Sequence, residues 1–326
     1  VAALFPKLSN NTRKRLTALA TLGHSLSSSS LHHKLKLSKE YYIHKDNFDK
    51  AVEQLRDSLS NKEYYTEVRY ASKNEQEETI YDRIMDAAQR HTGIPYQGDY
   101  IRWNMYHNNI KTSYFEVDNE YYYLFQVTAY YMNSADQEKE FRTKAQKIID
   151  SFNFKPGTSD YEKTKVIYEY ICKNVSYDYE HVKDKEYYLQ YTAYAALLNK
   201  KAVCQGYANL LYYLCLSAGV DCRIITGISH KENHAWNIVR INGKYYNVDS
   251  TWDSFNSIKE YFLKNDQSFT DHKADDEYTT KSFNNQYLKD TESFTAKKGD
   301  LNGDGIISSE DLVFMAKLIS GKLTID

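Results

Sequence analysis

The sequence predicts an α+β protein, and three observations lead to this class. Apolar residues recur at helical spacing in several segments, which indicates amphipathic helices packed on a core. Tyr-rich segments with strand character lie between these helices. Two pairs of strand segments are joined by two-residue turns, Asp118-Asn119 and Asn242-Gly243, which is typical of antiparallel hairpins.

The chain divides into a lead-in and two larger units. Its 326 residues suggest two or three domains. Residues 1–40 are polar and Ser-rich, so we expect a flexible lead-in there. We expect an accessory α+β domain over residues 41–152 and a second α+β domain over residues 155–290, separated at Pro156-Gly157.

The accessory domain is expected to support the chain or to position a substrate, because it contains no constellation of chemical groups. Its predicted elements alternate between helices and strands. They are a helix capped by Asp46, a strand near 63–71, a helix near 76–90, the strands 111–118 and 121–131, and a helix from the capping box of Ser134 and Gln137 to about 151.

The second domain is predicted to start with a helix after the capping box of Ser159 and Glu162. A second helix begins near Cys204 with a regular apolar face, and Gly219 ends it. A strand over 221–227 and the hairpin strands 234–241 and 244–251 complete the predicted order.

Charge and cysteine content exclude several classes of protein. A formal net charge of −2 gives no reason to expect a nucleic-acid partner, and no apolar run is long enough for a membrane span. The four cysteines form no C-x-x-C pair and therefore no zinc pattern. Cys172 and Cys215 are expected in the core, and a disulfide between Cys215 and Cys222 stays open beside free thiols.

Cys204 is predicted to lie in the first turn of its helix. A helix N-terminus favours negative charge, and the thiolate is the reactive form of cysteine. Exposed backbone N–H groups at this position are also suited to a developing oxyanion. A lone cysteine at a helix start is more often structural, so its assignment depends on its partners.

His234 and Asp249 are the predicted partners of Cys204. A hairpin about Asn242-Gly243 brings position 236 opposite 249, so the side chains of His234 and Asp249 are diagonal neighbours. An imidazole that shares the thiol proton, oriented by a carboxylate, activates a thiol nucleophile. The sequence therefore predicts a thiol–imidazole–carboxylate site.

Three assignments around this site stay open. Asp253 is the second choice for the carboxylate. An H-x-x-x-H metal pair of His230 and His234 is a weaker interpretation, because strand and loop rather than a helix carry it. The side-chain donor to the oxyanion is open among Tyr194, Gln190 and Gln205, with Tyr194 first because its phenol presents an O–H group from the preceding segment.

Three sequence blocks around these residues occur in a fixed order. They are Ala202-Val203-Cys204-Gln205-Gly206-Tyr207-Ala208, His234-Ala235-Trp236-Asn237, and Tyr246-Asn247-Val248-Asp249-Ser250-Thr251-Trp252-Asp253. Val175-Ser176-Tyr177-Asp178 precedes them, and Tyr261-Phe262-Leu263 and Asp271-His272 follow. Over residues 160–275 this pattern resembles the transglutaminase-like superfamily of papain-fold thiol enzymes.

The resemblance implies a papain-like core, in which the helix bearing Cys204 packs on an antiparallel sheet bearing His234 and Asp249. It also implies attack on an amide carbonyl and a thioacyl enzyme, with no cofactor for catalysis. We expect a cysteine peptidase, because bacterial members similar to this chain are mostly thought to be peptidases. A protein-glutamine acyltransferase or deamidase with the same triad is the alternative, and a catalytically silent peptide-binding scaffold is another.

Residues 300–311 match the twelve-position calcium loop of an EF-hand. Oxygen ligands fall at the required positions, Gly305 provides the sharp turn, and an apolar helix follows. The predicted Ca²⁺ ligands are Asp300, Asn302, Asp304, the carbonyl of Ile306, Ser308 and Asp311.

The region 297–326 resembles a dockerin repeat, on the segment Gly299-Asp300-Leu301-Asn302-Gly303-Asp304-Gly305 followed by Asp311-Leu312. A dockerin has two such repeats, and one is visible here. The resemblance implies a cohesin partner and a secreted protein, extracellular or held in a cell-surface complex of cellulosome type.

Overall fold

The computed structural model describes residues 48–72, 80–117, 119–255, 259–295, 299–300, 307 and 309–320. The predicted lead-in of residues 1–40 and the predicted cap Asp46 lie outside the described residues. The protein is of the α+β class, with antiparallel sheets, as predicted.

The first part of the chain is a three-stranded antiparallel sheet with two helices packed on it. The helices are α1 (Phe48–Ser60) and α2 (Ile80–Ala88), and the strands are β1 (Tyr65–Ser72), β2 (Met105–Val117) and β3 (Glu120–Tyr131), in the order β1-β3-β2. Leu55, Ile84 and Val127 are fully buried where the layers meet. Val117 pairs with Glu120, so the predicted two-residue hairpin turn is confirmed.

Strand β2 begins at Met105, earlier than the predicted start at 111. His107, Asn108 and Asn109 are polar residues with low strand propensity, so the sequence pattern does not indicate a strand there. Backbone pairing of these residues with the end of β3 extends the strand.

Three further helices contribute buried residues to one shared core. They are α3 (Asp99–Asn104), α4 (Ala135–Ser151) and α5 (Asp160–Asn174). The capping boxes predicted at Ser134 and Ser159 are both present. Phe141 of α4 is fully buried in the same core as Ile167 of α5, so the predicted domain boundary near 152 lies between two helices that share a core.

The second part of the chain is a four-stranded antiparallel sheet with one long helix, α6 (Cys204–Ser217), on one face. The strands are β6 (Cys222–Ser229), β7 (Glu232–Ile241), β8 (Lys244–Val248) and β9 (His272–Ala274), in the order β8-β7-β6-β9. The shorter elements are the parallel pair β4 (Ser176–Tyr177) and β5 (Lys201–Ala202), and the helices α7 (Ser250–Asp253), α8 (Lys281–Gln286) and α9 (Ser309–Ile319).

The hairpin of β7 and β8 has the predicted register. Asn242 and Gly243 both have positive φ angles, 52° and 81°, as a tight hairpin turn requires, and Asn237 pairs with Val248. Strand β8 ends at Val248 rather than at the predicted 251, because Asp249 leaves the strand and caps α7.

All four cysteines are free thiols, so the structure contains no Cys215–Cys222 disulfide. Cys172, Cys215 and Cys222 are buried, as predicted for the first two. Among the described residues, no helix has both the length and the apolar character needed to cross a membrane.

A buried ion pair joins the first part of the chain to the second sheet. Asp99 of α3 accepts two hydrogen bonds from the Arg223 guanidinium of β6, at 2.7 and 2.8 Å, and a third from the backbone N–H of Ile224. Asp99 is 3% exposed and Arg223 is 9% exposed. Removing one charge would leave the other buried without its partner, which is strongly destabilising.

We therefore expect Asp99→Asn to lower the free energy of unfolding by about 3–5 kcal/mol, measured by urea denaturation. The matched control is Glu277→Gln, which removes a carboxylate with the same two-bond geometry from an exposed pair with Arg102. This control should cost less than about 1 kcal/mol. Equal effects of the two substitutions would contradict the prediction.

Candidate active site

Cys204 is the first residue of α6, as predicted. Val203 caps the helix in an extended conformation, and its apolar side chain forms no capping hydrogen bond. The cysteine is partly exposed, whereas the other three are buried. A thiol in this position lies at the positive end of the helix dipole, beside backbone N–H groups that can donate hydrogen bonds to an oxyanion.

A close approach at Gly206 holds the start of α6 against the preceding segment. A Cβ atom at this position would lie 2.6 Å from Cβ of Ala202 and 2.9 Å from the carbonyl oxygen of Gln190. The backbone N–H of Val203 also donates to that carbonyl, at 3.1 Å. The glycine in the block around Cys204 is thus required by packing, because any side chain would push the segment away.

His234 and Asp249 meet as the hairpin register predicted. Nε2 of His234 lies 2.6 Å from Oδ2 of Asp249, and both side chains are almost completely buried. Cys204 lies close enough to this imidazole to contribute to raising its pKa. The structure therefore brings together all three residues of the predicted triad.

The charges of this triad favour an imidazolium. Burial alone would lower the pKa of His234, but the Asp249 carboxylate and its hydrogen bond, with a smaller effect from Cys204, raise this pKa to about 10. Burial would raise the pKa of Asp249, but His234 and then His272 outweigh it and lower this pKa to about 2. An imidazolium beside a thiol favours the thiolate, which is the nucleophile.

The backbone of α7 fixes the second oxygen of the Asp249 carboxylate. Oδ1 accepts hydrogen bonds from the N–H groups of Thr251, at 2.8 Å, and Trp252, at 3.3 Å. The same carboxylate thus caps a helix and orients the imidazole. Because Asp249 has both roles, β8 ends at Val248, directly before it.

Asp253, the second choice for the carboxylate, has a different set of partners. It accepts hydrogen bonds from the Tyr168 hydroxyl at 2.7 Å and from the backbone N–H groups of Glu260 and Tyr261. Asp253 is 1% exposed and anchors the segment after α7 to α5. The structure therefore selects Asp249 as the partner of His234.

The predicted side-chain oxyanion donors are engaged elsewhere. The hydroxyl of Tyr194 donates to Glu140 on α4 at 3.1 Å, at the protein surface, so the structure does not place it at the thiol as expected. The amides of Gln190 and Gln205 donate to the carbonyls of Asp184 and Trp103. The backbone N–H groups at the start of α6 remain the donors that the geometry supports.

Two other tyrosines lie near the thiol instead. Burial, and second to it the charge of Cys204, raises the pKa of both Tyr177 and Tyr191. Tyr177 lies on β4, and Tyr191 ends the short 3-10 helix Tyr188–Tyr191. The position of Tyr177 follows from the pairing of β4 with β5, which no local sequence signal indicated.

His272 is the residue of the site that sequence reasoning gave no role. Its Nε2 atom lies 3.0 Å from Oδ2 of Asp249, the same oxygen that His234 contacts. The pair Asp271-His272 was visible only as part of the family resemblance. Because β9 reaches the site by pairing with β6, no local spacing could have linked it to Asp249.

The structure gives no support to the metal pair of His230 and His234. Within the described residues, the groups of three or more His, Cys, Asp or Glu side chains close enough to share an ion are His234 with Asp249 and His272, and Asp178 with Glu180 and His181. His230 is 57% exposed in its side chain and belongs to neither group. In the first group, the Nε2 atoms of His234 and His272 both contact Oδ2 of Asp249.

Two of the six predicted Ca²⁺ ligands, Asp300 and Asp311, belong to the described residues. Asp311 is 3% exposed near the start of α9, whereas Leu312 and Ile319 on the same helix are 66% and 80% exposed. Asn302, Asp304, Ile306 and Ser308 lie outside the described residues.

Residues 143–250 match the model of the Transglutaminase-like superfamily, and this range contains Cys204, His234 and Asp249. This part of the chain is therefore similar to a transglutaminase-like domain. That superfamily includes cysteine peptidases and acyltransferases, and the site described above combines a thiol, an imidazole and a carboxylate within the matched range.

Two curated proteins are similar to half of the chain. The kyphoscoliosis peptidase of Mus musculus is 29% identical over 191 residues, and that of Homo sapiens is 28% identical over 192 residues. Each alignment covers 51% of this chain and 29% of the relative. The chain thus spans less than a third of the length of these relatives.

Two solved structures show a weak similarity. One is a crystal structure of a TGase, with a TM-score of 0.32 and 16% identity over 57% of this chain and 51% of that one. The other is a candidate cysteine protease from Cytophaga hutchinsonii, with a TM-score of 0.25 and 16% identity over 45% of this chain and 65% of that one. At these TM-scores neither similarity carries an argument.

The pKa of His234 tests the role of Asp249 without any substrate. We expect the imidazole of His234 to titrate near pH 10 in an NMR titration, and Asp249→Asn to move its pKa down towards 6.5, because the nearest negative charge is lost. Asp253→Asn is the matched control and should leave the titration of His234 near pH 10. A titration of His234 unaffected by Asp249→Asn would contradict the assignment.

Proposed function

We propose that this protein is a cysteine peptidase that cleaves protein amide bonds through a thioacyl intermediate. The observation that carries the proposal is the buried pair of His234 and Asp249 beside a partly exposed thiol at a helix N-terminus. That combination maintains a nucleophile and a proton donor at the same position at neutral pH.

The proposed reaction begins with attack of the Cys204 thiolate on the amide carbonyl carbon. A C–S bond forms, and the oxyanion is held by N–H groups at the start of α6. The C–N bond then breaks as the imidazolium of His234 gives its proton to the leaving amine.

Hydrolysis of the thioacyl enzyme restores the site. The neutral His234 takes a proton from a water molecule, whose oxygen attacks the acyl carbon. The C–S bond breaks, the carboxylic acid leaves, and the thiolate and imidazolium are regenerated. Asp249 stays ionised throughout and holds the imidazole in place.

Transfer to an amine is the competing outcome of the same intermediate. If the acyl group comes from a glutamine side chain and a lysine amine accepts it, the site acts as a protein-glutamine acyltransferase. If water accepts the same acyl group, the site acts as a deamidase. A catalytically silent peptide-binding scaffold is the third candidate. The acceptor distinguishes the first two, and the reactivity of Cys204 distinguishes both from the third.

Cleavage of casein and of a peptide library by the purified chain, with and without an added primary amine, is the test. Cys204→Ala should reduce cleavage to background, a loss of several orders of magnitude. Cys172→Ser is the matched control and should retain activity, because burial raises the pKa of the Cys172 thiol to about 12 and makes it inert.

The other outcomes are equally specific. Amine incorporation that is lost with Cys204→Ala, without cleavage, would replace the peptidase by an acyltransferase. If neither cleavage nor amine incorporation is found, and Cys204 is alkylated no faster than Cys172, the silent scaffold would be the supported function.

We also propose that the C-terminal loop binds Ca²⁺ and that the tail docks to a cohesin module outside the cell. The ligand spacing supports calcium, and so does the burial of Asp311 on a helix with exposed neighbours. In this proposal, bound Ca²⁺ would stabilise the loop. Its ligands would be Asp300, Asn302, Asp304, Ile306, Ser308 and Asp311.

Isothermal titration of the full chain with Ca²⁺ tests this part of the proposal. We expect one equivalent of Ca²⁺ to bind, and Asp311→Ala to weaken binding by at least about tenfold, because a charged ligand is lost. Asp150→Asn, at an exposed carboxylate of α4, should leave binding unchanged. Absence of binding, or equal binding by Asp311→Ala, would overturn the calcium site.

A further inference from the structure

Two imidazoles converge on one oxygen of the buried Asp249 carboxylate. Oδ2 lies 2.6 Å from Nε2 of His234 and 3.0 Å from Nε2 of His272. A carboxylate oxygen only accepts hydrogen bonds, so both imidazoles must donate to it. With the two backbone donors on Oδ1, each oxygen of the carboxylate has two partners.

The ring of His272 is held in one orientation. It lies at the first residue of β9, paired with Ser229 of β6, and its side chain is fully excluded from solvent. Phe269 stacks on it with ring centroids 3.9 Å apart, and the Trp236 ring meets its edge at 5.0 Å. Packing on these surfaces directs Nε2 at Asp249, so the donor is set before any substrate binds.

A second carboxylate lies at the other side of this ring. Nδ1 of His272 is 2.8 Å from Oδ1 of Asp271, whose Oδ2 accepts the Tyr261 hydroxyl at 2.7 Å. Burial would raise the pKa of Asp271, but the hydrogen bonds from Tyr261 and His272 outweigh it and the net shift is downward. Both nitrogens of His272 therefore face acceptors, and both bonds form only when the ring carries two protons.

The result is a continuous line of polar groups that starts at the thiol. It runs through Cys204, His234, Asp249, His272, Asp271 and Tyr261. The charged and titratable groups that face His272 are Asp249 from the end of β8, His234 from β7, Asp271, Tyr261, and His230, which lies 4.0 Å from Asp271.

We propose that His272 is a positioning residue that holds the Asp249 carboxylate in the orientation required by His234. The inference builds on the proposed thiol chemistry, because it concerns the stability of the thiolate–imidazolium pair. Without the His272 donor, Oδ2 loses one of its two partners and the carboxylate is free to turn away from His234. The imidazolium then loses stabilisation, and the proton returns to Cys204.

A second proton on the His272 ring would add a positive charge with a separate and opposite effect. This charge would offset part of the Asp249 charge that stabilises the imidazolium of His234. A neutral donor at this position would therefore keep the orientation and stabilise the ion pair at least as well as histidine does. Orientation and charge can thus be separated by choosing the substituted side chain.

The rate of Cys204 alkylation by iodoacetamide across the pH range tests the proposal without any substrate. His272→Phe keeps an aromatic ring but removes both donors, and we expect alkylation at pH 6 to fall about tenfold or more, as for the loss of one hydrogen bond to a charged group. His272→Gln retains a neutral donor and should restore the rate to within about twofold of the unchanged protein.

His107→Phe and His107→Gln are the matched controls, because His107 is exposed on β2 and contacts none of the groups around Asp249. Both should leave alkylation unchanged within about twofold, after subtraction of the rate found with Cys204→Ala. Thermal unfolding of each variant shows whether it is folded. Asp271→Asn, at a more exposed site, tests the distal carboxylate if His272→Phe does not fold, and it should change the pH dependence of alkylation.

A folded His272→Phe with an unchanged alkylation profile would overturn the proposal, and so would a His272→Gln no faster than His272→Phe. If His272→Phe does not fold, an unchanged profile for Asp271→Asn would also overturn it. These results are independent of peptide cleavage. If the protein cleaves no peptide but shows the expected alkylation pattern, the positioning role of His272 is supported and only the proposed peptidase activity is contradicted.

Discussion

The structure around the site depends on one constraint, the burial of an ionised carboxylate at the end of a strand. Asp249 is 1% exposed, and a buried charge is stable only when its partners are complete. The partners come from three places, namely the backbone of α7, the strand β7 and the start of β9. The ionised Asp249 side chain therefore has its full set of partners only when the strand order, the position of α7 and the end of β8 are those observed.

The nucleophile is held by a different part of the molecule. Cys204 belongs to α6, whose start is fixed by the close contact at Gly206 and by the segment that contains Gln190. The helix packs against β6 and β7 through a hydrophobic core, so the thiol and the imidazole meet because two layers are docked, not because their residues are neighbours in sequence. Rigid docking of this kind suits a site whose groups must be in place before substrate arrives.

Local signals in the sequence were sufficient for much of this arrangement. The turn at Asn242-Gly243 fixes the register of β7 and β8, and that register alone brings His234 to Asp249. The position of Cys204 followed from apolar spacing and from Gly219. Contacts between distant segments had no such signal, so the role of His272 and the engagement of Tyr194 by Glu140 became visible only in three dimensions.

The ion pair of Asp99 and Arg223 bears on how this protein could be dissected. A fragment cut to the family match, residues 143–250, would keep Cys204 but lose Asp99 and His272. In such a fragment the Arg223 guanidinium would lack its Asp99 partner, and Oδ2 of Asp249 would lack the contact with His272. The smallest autonomous unit must therefore reach from α3 through β9, well beyond the stretch in which the sequence similarity is recognisable.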